Sequence, residues 1–337
     1  MTILGTYKCT ARCENCCFDS NPFLTERLSL PEILQFIQEA AELPTCKMVV
    51  FSGGECFLLG DDLVTAVAYA TSLGMITRCV TNGFWAKHPE HGRTRLEPLV
   101  RAGLKELNLS TGDYHQRWVS QDTVVNAACL ATDFGLPTVI MVELQRERRV
   151  TAADIAGDPR MAGRLKRDNP SLRILESPWM PMDHNDIIEQ SENRMLSQRT
   201  LHMRGGCTSV LNTVVITPHR RFGFCCGLSR EKIPELNADW APGTFNDLVE
   251  AGNADFMKIW LWVDGPDRIL AWAATKDSRI EWENRYSHHC QTCLALFSDQ
   301  YIRDVIREHY RERVQDVLFR YTMRLREQQG FDTHLAP

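Results

Sequence analysis

The stretch Lys47–Glu55 reads KMVVFSGGE. Its first five residues form an apolar, β-rich run, and the run stops at two glycines, which is how a strand ending in a turn is written. The residues that follow, LVTAVAYATSL at Leu63–Leu73, read as a helix. Asp61 or Asp62 stands ready to cap it, and Gly74 fits just past its end. A second strand-like run, MITRCV at Met75–Val80, comes next. Strand, helix, strand is the βαβ unit.

The same rhythm extends in both directions. Strand-like runs lie at Ile3–Lys8 (ILGTYK), Leu104–Leu109 (LKELNL), Thr138–Leu144 (TVIMVEL) and Leu172–Leu175 (LRIL). From Lys47 onward, successive runs begin about 30 residues apart, the length of one βαβ unit. Between them, Ser29–Glu32 (SLPE) is a capping box before the amphipathic ILQFIQEAAEL, and Thr94–Glu97 (TRLE) reads as another, closed by Gly103. VVNAACLATDF ends at Gly135. Strands alternating with helices imply a parallel α/β sheet with right-handed crossovers. Six units predict an open, partial (β/α)6 TIM-type barrel over residues 1–205, with ligands at the carboxyl ends of its strands.

The chain has 337 residues, enough for about two domains. Apolar content of 44% and charged content of 24% are ordinary for a soluble globular protein. A net charge of −5 argues against nucleic acid as a partner. The basic runs RERR (Arg146–Arg149) and RLKR (Arg164–Arg167) read as solvated faces. The N-terminus shows no signal peptide, and no apolar run nears the ~20 residues of a membrane span. A cytoplasmic protein is therefore expected, and its thirteen cysteines are not expected to be disulfides. Cys46, Cys56, Cys79 and Cys129 fall singly in apolar segments and read as small buried hydrophobes.

After about Leu201 the βα rhythm stops. Gly, Cys, Trp and Pro become irregularly spaced, which places a boundary near Gly205–Gly206 and a small irregular domain over 206–295. From Asp299 to Gln329 the apolar residues recur at helical spacing, so residues 296–337 are expected to hold one long C-terminal helix.

Four cysteines crowd into CTARCENCCF, Cys9–Phe18, where the first strand leaves the barrel. Disulfides, zinc and an iron–sulfur cluster compete for them. A structural zinc site is closed by four ligands. Cys9, Cys13 and Cys16 have no fourth partner nearby except the adjacent Cys17. Three thiolates on a cubane cluster would instead leave one iron open to a ligand.

The spacing Cys9-x3-Cys13-x2-Cys16 resembles the signature of the radical SAM superfamily. The resemblance implies that these three hold a 4Fe–4S cluster whose fourth iron chelates S-adenosylmethionine. Reductive cleavage would then yield a 5′-deoxyadenosyl radical that abstracts hydrogen from a substrate, with a flavodoxin- or ferredoxin-type electron donor. One departure is Asn15, where many members have an aromatic residue. Later strand ends extend the resemblance. Ser52-Gly53-Gly54-Glu55 is similar to the family's GGE motif, whose backbone and Glu bind the methionyl amino group. Glycines there allow close backbone approach to a ligand. Thr81-Asn82-Gly83 and Ser110-Thr111-Gly112-Asp113 stand where the family has turns, and Ser110 and Asp113 are implied near the ribose and methionyl carboxylate. Glu143 and Arg146 lie near the end of the fifth strand, where an Arg would pair with that carboxylate. His115 and Trp179 are placed to touch substrate.

A second cysteine group comprises Cys207, Cys225, Cys226, Cys290 and Cys293. Zinc and a second iron–sulfur cluster are both chemically open to it. Cys207 and Cys225 bracket the strand-like VLNTVVITPHRRFGF, and Cys290-x2-Cys293 follows. The arrangement resembles the Twitch and SPASM subdomains. It implies one auxiliary 4Fe–4S cluster on Cys207, one of the adjacent Cys225 and Cys226, Cys290 and Cys293; with Cys225 chosen as the ligand, Cys226 is a spare thiol and hydrogen-atom donor.

The expected function is radical modification of a ribosomally made peptide, as a cross-link, thioether or epimerisation. The chain opens at its first strand, so a separate leader-recognition protein is an expected partner. A small-molecule dehydrogenase or epimerase of aminosugar or other natural-product biosynthesis is the alternative. A non-enzymatic zinc-binding protein is the third reading, and it does not require the ordered GGE, TNG and STGD turns.

Overall fold

The computed structural model describes residues 1–165, 171–183, 185–187, 190–225 and 232–332. They form two compact units: Met1–Trp179 with Val214–Gly223 and Asn237–Asn246, and Met180–Thr213 with Phe224–Leu236 and Asp247–Pro337. The first unit thus takes in two segments that lie after Gly205–Gly206.

The first unit alternates as the sequence predicts. Its elements are β1 (Thr2–Leu4), α1 (Leu30–Ala41), β2 (Met48–Ser52), α2 (Asp61–Ser72), β3 (Ile76–Thr81), α3 (Pro89–Arg101) and β4 (Glu106–Thr111). There follow α4 (Asp113–Gln116), α5 (Gln121–Asp133), β5 (Thr138–Leu144), α6 (Ala152–Ala156) and β6 (Leu172–Pro178). Strands β1 to β6 pair in parallel in sequence order. The sheet continues from β1 through β7 (Val215–Ile216), β8 (Arg221–Gly223) and β9 (Asn237–Asp239), in the order β6-β5-β4-β3-β2-β1-β7-β8-β9. It is open, with β6 and β9 as its edges. The strand-like segment before Cys225 therefore joins the barrel sheet, with β7 parallel to β1 and antiparallel to β8.

One face of this sheet is dry. Val49, Phe51, Cys79, Leu107, Leu109, Ile140 and Val142 are almost wholly buried, as are Ile33, Phe36 and Ile37 of α1 and Val124, Val125 and Ala128 of α5. Each Val, Leu, Ile or Phe side chain among them contributes about 1.5–3 kcal/mol by leaving water. The alternating residues make a wetter face. Arg78 and Glu106 pair there at 2.8 Å, and Met141 and Leu175 remain 38% and 46% exposed. Parallel sheets are usually covered on both sides, so this half-open face marks the lumen. By register, Ser52, Ser110 and Glu143 belong to it.

Helix starts follow local chemistry, with two corrections. Glu32 accepts from the Ser29 amide and hydroxyl at 2.8 and 2.7 Å, as the capping box predicts. Helix α2 is entered from Gly60 at φ 61°, and Asp61 and Asp62 lie in its first turn instead of capping it. Helix α3 begins at Pro89, whose fixed φ suits a first turn, so Thr94 is interior and its hydroxyl donates to the His91 carbonyl at 2.8 Å. Cys56 and Cys79 are buried as expected, but Cys46 and Cys129 are only half-buried. Every described cysteine is a free thiol.

The second unit is helical. Helix α7 (Phe245–Ala254) starts in the first unit and is followed by α8 (Phe256–Lys276), α9 (His289–Ser298), α10 (Gln300–His309) and α11 (Arg311–Asp332). The single C-terminal helix expected is thus two helices. Near Tyr310 the bonding tightens to an i+3 turn, Arg313 amide to Tyr310 carbonyl at 2.9 Å. Among the described residues no helix is long and apolar enough to cross a membrane.

Candidate metal and cofactor site

The two glycines after β2 are required by what approaches them. A Cβ on Gly53 would lie 2.4 Å from the Thr6 carbonyl oxygen, and one on Gly54 would lie 2.2 Å from that of Lys8. The Gly54 amide donates to Thr6 at 2.7 Å and the Glu55 amide to Lys8 at 2.9 Å. The expected close approach is therefore made first by this chain's own backbone, which enters the cysteine loop at Cys9. The Ser52 carbonyl accepts from Gly5 at 3.2 Å.

Glu55 is the buried centre of this seat, 1% exposed. One of its oxygens accepts from the Phe57 amide at 3.0 Å and the Thr81 hydroxyl at 2.8 Å, and the other from the Asn82 amide at 2.9 Å. Burial pushes its carboxyl up to about 7 against these three donors. Three protein donors already occupy the carboxylate assigned by resemblance to an ammonium group. Asn82 reaches back into the cysteine loop, donating from Nδ2 to Thr10 Oγ1 at 3.0 Å and toward Cys9 Sγ at 3.6 Å.

The loop brings Cys9, Cys13 and Cys16 within electrostatic reach of one another. Burial pushes the Cys9 thiol up to about 12, with Glu55 and then Cys16 adding to the rise. Cys13 is pushed up by burial, then by Cys16, Glu143 and Cys9. Three neighbouring sulfurs are a soft donor set that suits iron–sulfur ligation, and a bound cationic metal would reverse the preference of Cys9 and Cys13 for the thiol form. Asn15 sits at φ 56°, a left-handed conformation that Asn tolerates better than an aromatic residue. That accounts physically for the departure from the usual aromatic.

Residues after β4 and β6 hold the same loop. Trp179 donates from Nε1 to the Glu14 carbonyl at 3.1 Å, and Arg117 pairs with the Glu14 carboxylate. Ser110 is half-buried at the end of β4 on the lumen face. Asp113 accepts from the amides of Arg149, at 3.0 and 3.1 Å, and Val150, at 3.0 Å, so it ties down the segment after β5 instead of pointing to a ligand. Arg146 is exposed in that segment, while neighbouring Arg148 pairs with Glu176 at 2.8 Å.

Glu143 is 4% exposed and was passed over as a site residue. It accepts from the Tyr114 amide at 2.9 Å and the His115 amide at 3.2 Å, and it contacts His115 Nδ1. A Cβ on Gly112, at φ 142°, would fall 2.4 Å from Glu143 Cβ and Cγ, so the glycine opens the space this side chain fills. The His115 ring meets Trp179 edge-on at 5.8 Å. The alternation in TVIMVEL was the available signal, since it places Glu143 on the same face as Met141, whose register partner is Ser110.

In the second unit Gly206 and Gly265 allow backbones to touch. Cβ atoms there would lie 1.8 Å from the Trp262 oxygen and 2.1 Å from the Gly205 oxygen. This contact fixes Cys207, whose amide donates to Leu261 at 2.8 Å. Burial, then Cys225, Cys207 and Asp267, push the Cys293 thiol well up. Cys290 lies one turn before Cys293 on α9 and clusters with His288 and His289. His288 Nδ1 accepts the Cys290 amide at 3.1 Å, so that imidazole caps the helix. Cys226 lies outside the described residues.

Residues 3–143 match the radical SAM superfamily. This matched segment holds Cys9, Cys13 and Cys16, the glycine seat, Asn82, Ser110 and Glu143. Over 119 residues the chain is 26% identical to YydG of Bacillus subtilis (strain 168), whose name places it in peptide biosynthesis. The match covers 35% of this chain and 37% of YydG. Among solved structures, BtrN in complex with AdoMet and 2-DOIA aligns with 79% of this chain and 88% of its own, at 14% identity and TM-score 0.44. Methylornithine synthase (PylB) aligns over 53% of each chain at 17% identity and TM-score 0.39.

Proposed function

We propose that this chain, built on its radical SAM domain, is an enzyme that modifies a ribosomally made peptide. The observation that carries the reading is the coincidence of the family match with three mutually interacting thiols on the loop that follows the backbone packed against Gly53–Gly54. The similarity to YydG supports a peptide as substrate.

Cys9, Cys13 and Cys16 would hold a 4Fe–4S cluster, with S-adenosylmethionine at the iron they leave open. When bound, this group supplies reductive cleavage of S-adenosylmethionine and hydrogen-atom abstraction. The protein's own contribution is placement. Gly53 and Gly54 let the loop lie against β2, Asn82 steadies its first thiol, and Trp179 and Arg117 hold Glu14. Ser110 and Arg146 are the polar residues assigned to the methionyl and ribose groups. Cys207, Cys225, Cys290 and Cys293 would hold an auxiliary 4Fe–4S cluster, and a flavodoxin- or ferredoxin-type protein would deliver electrons.

Anaerobic reconstitution tests the metal assignment, with about eight irons per chain expected for two 4Fe–4S clusters. The loaded protein is then given S-adenosylmethionine, dithionite and the product of any short reading frame found beside its gene, and the products are weighed by mass spectrometry. A changed peptide mass with 5′-deoxyadenosine is the expected result. Stoichiometric zinc in place of iron would overturn the reading.

A further inference from the structure

We infer that a cleft in the second unit, lined by one face of α8, one face of α11 and the turn at Leu201–Met203, is a docking site for a carboxylate side chain of a peptide. The inference deepens the proposed function and rests on its reading of the substrate as a peptide.

The cleft follows from helical spacing. Gly265, at φ 77°, breaks α8, and the helix resumes from Pro266. Arg268, Ala271, Trp272 and Thr275 then fall at i, i+3, i+4 and i+7, which is one helix face. Arg313 and Arg320 stand seven residues apart on α11, again on one face. With Leu201 and His202 they line a cleft of about 620 Å³, within the range usual for small-ligand sites. All of these residues belong to the second unit, and none is a candidate cluster ligand.

Most charges at the cleft are already paired. Asp264 is 5% exposed, where a lone carboxylate would be costly. It accepts from Trp260 Nε1 at 2.9 Å, from both ends of the Arg320 guanidinium at 2.6 and 3.1 Å, and from Arg313 at 3.4 Å. Burial works against its charge, but Arg320, Trp260 and Arg313 hold the carboxyl below its ordinary range. Asp316 pairs with Arg313 at 3.0 Å and with Arg320 at 2.7 Å. Two carboxylates thus neutralise these two arginines. Lys276, beside the Trp272 ring, is paired with Glu312.

Arg268 is left over. No described carboxylate pairs with it, and its hydrogen bond to the His202 carbonyl is long, 3.5 Å. One uncompensated guanidinium suits one negative charge. Its planar fork matches a carboxylate, to which it can donate two parallel hydrogen bonds. A phosphate dianion would leave the cleft negative. Leu201, Ala271 and the half-buried Trp272 ring supply an apolar wall beside it. The ligand class is therefore a peptide segment in which a Glu or Asp lies next to an apolar residue.

The test is isothermal titration calorimetry of the iron-loaded full chain with two capped peptides, acetyl-Leu-Glu-Leu-amide and acetyl-Leu-Gln-Leu-amide. Sodium acetate and inorganic phosphate serve as free anions. Wild type should bind the Glu peptide at least about tenfold more tightly than the Gln peptide, the gain of one charge-assisted pair. It should also bind the Glu peptide more tightly than either free anion. Arg268→Gln and Arg268→Ala should each remove the preference for Glu. Arg268 lies outside the Asp264 network, so neither change strands a buried charge. Iron content and circular dichroism show which variants remain folded, and either one suffices. Equal or undetectable binding of the two peptides by wild type overturns the inference, as does a preference for Glu retained without Arg268. Acetate or phosphate binding as tightly as the Glu peptide makes a free anion the occupant and overturns it too. None of these titrations contains S-adenosylmethionine, so the proposed function fails separately, by zinc in place of iron.

Discussion

Asn82 Nδ2 lies 3.6 Å from Cys9 Sγ, while the Asn82 amide donates to Glu55 at 2.9 Å. One buried residue at the end of β3 thus joins the first thiol of the loop to the carboxylate after β2. Replacing it with Ala removes the Cys9 contact and the bonds to Thr10 and Phe84, and leaves the backbone bond to Glu55 in place. A loss of about 1–3 kcal/mol is expected for a buried polar group stripped of its partners. Denaturant titration of Asn82→Ala should show that loss, and iron loading at the N-terminal cluster should fall with it.

Two glycines with different surroundings separate backbone approach from backbone strain. Gly54→Ala would put a methyl 2.2 Å from the Lys8 oxygen, which belongs to rigid main chain. Gly60→Ala meets nothing within 4 Å and bears only the strain of φ 61°. Roughly 3 kcal/mol or more is expected for the first and about 1 kcal/mol for the second. Only the first should also reduce iron binding. Equal effects in thermal unfolding and iron assay would count against the seat.

Glu55 gives a pH signature in the metal-free chain. Its folded-state carboxyl is raised from 4.5 to about 7, so its contribution to stability is fully present below about pH 4.5 and is lost as pH rises to about 7. At about 1.4 kcal/mol per pH unit the change is of order 3 kcal/mol. The stability difference between wild type and Glu55→Gln, measured by urea unfolding, should shift against wild type across that window. A constant difference would contradict a desolvated carboxylate.

The two cysteine groups should come apart under mutation. Cys13→Ala should abolish 5′-deoxyadenosine formation under dithionite. Cys293→Ala should lower iron by about four atoms, spare that cleavage without substrate, and stop product turnover. Cys17→Ala should leave the iron count unchanged. Iron assay and chromatography of 5′-deoxyadenosine report all three, and unaltered iron in Cys293→Ala would exclude it as a ligand.

Much of the fold was legible because its signals are local. Apolar runs, glycine stops and the Ser29–Glu32 cap each act within a few residues. The errors arose where a local pattern had a competitor nearby. Thr94–Glu97 resembled a cap, yet Pro89 started α3 earlier. The periodicity after Asp299 ran smoothly through Tyr310, where the hydrogen bonding changes.

The candidate site was legible in part. Cys9, Cys13, Cys16, Gly53, Gly54 and Glu55 stood out in the sequence through their resemblance to the radical SAM signature and its GGE motif. Asp113 looked like a ligand contact and is a tether, because its partners at Arg149 and Val150 lie 36 and 37 residues away. Glu143 was passed over because one acidic residue in a strand has no meaning until its register is known.

The sequence by itself determined the parallel α/β order, the end of the sheet where the turns gather and the crowding of thiols at the first of those turns. These follow from periodicity, chirality and chain connectivity, which every segment carries within itself. Only the tertiary structure decided what lies against the glycines, where Glu55 is buried, and that Glu143 comes under Gly112 to hold His115. Those are relations between separate strands, fixed by register and close packing, and no single segment contains both halves of them.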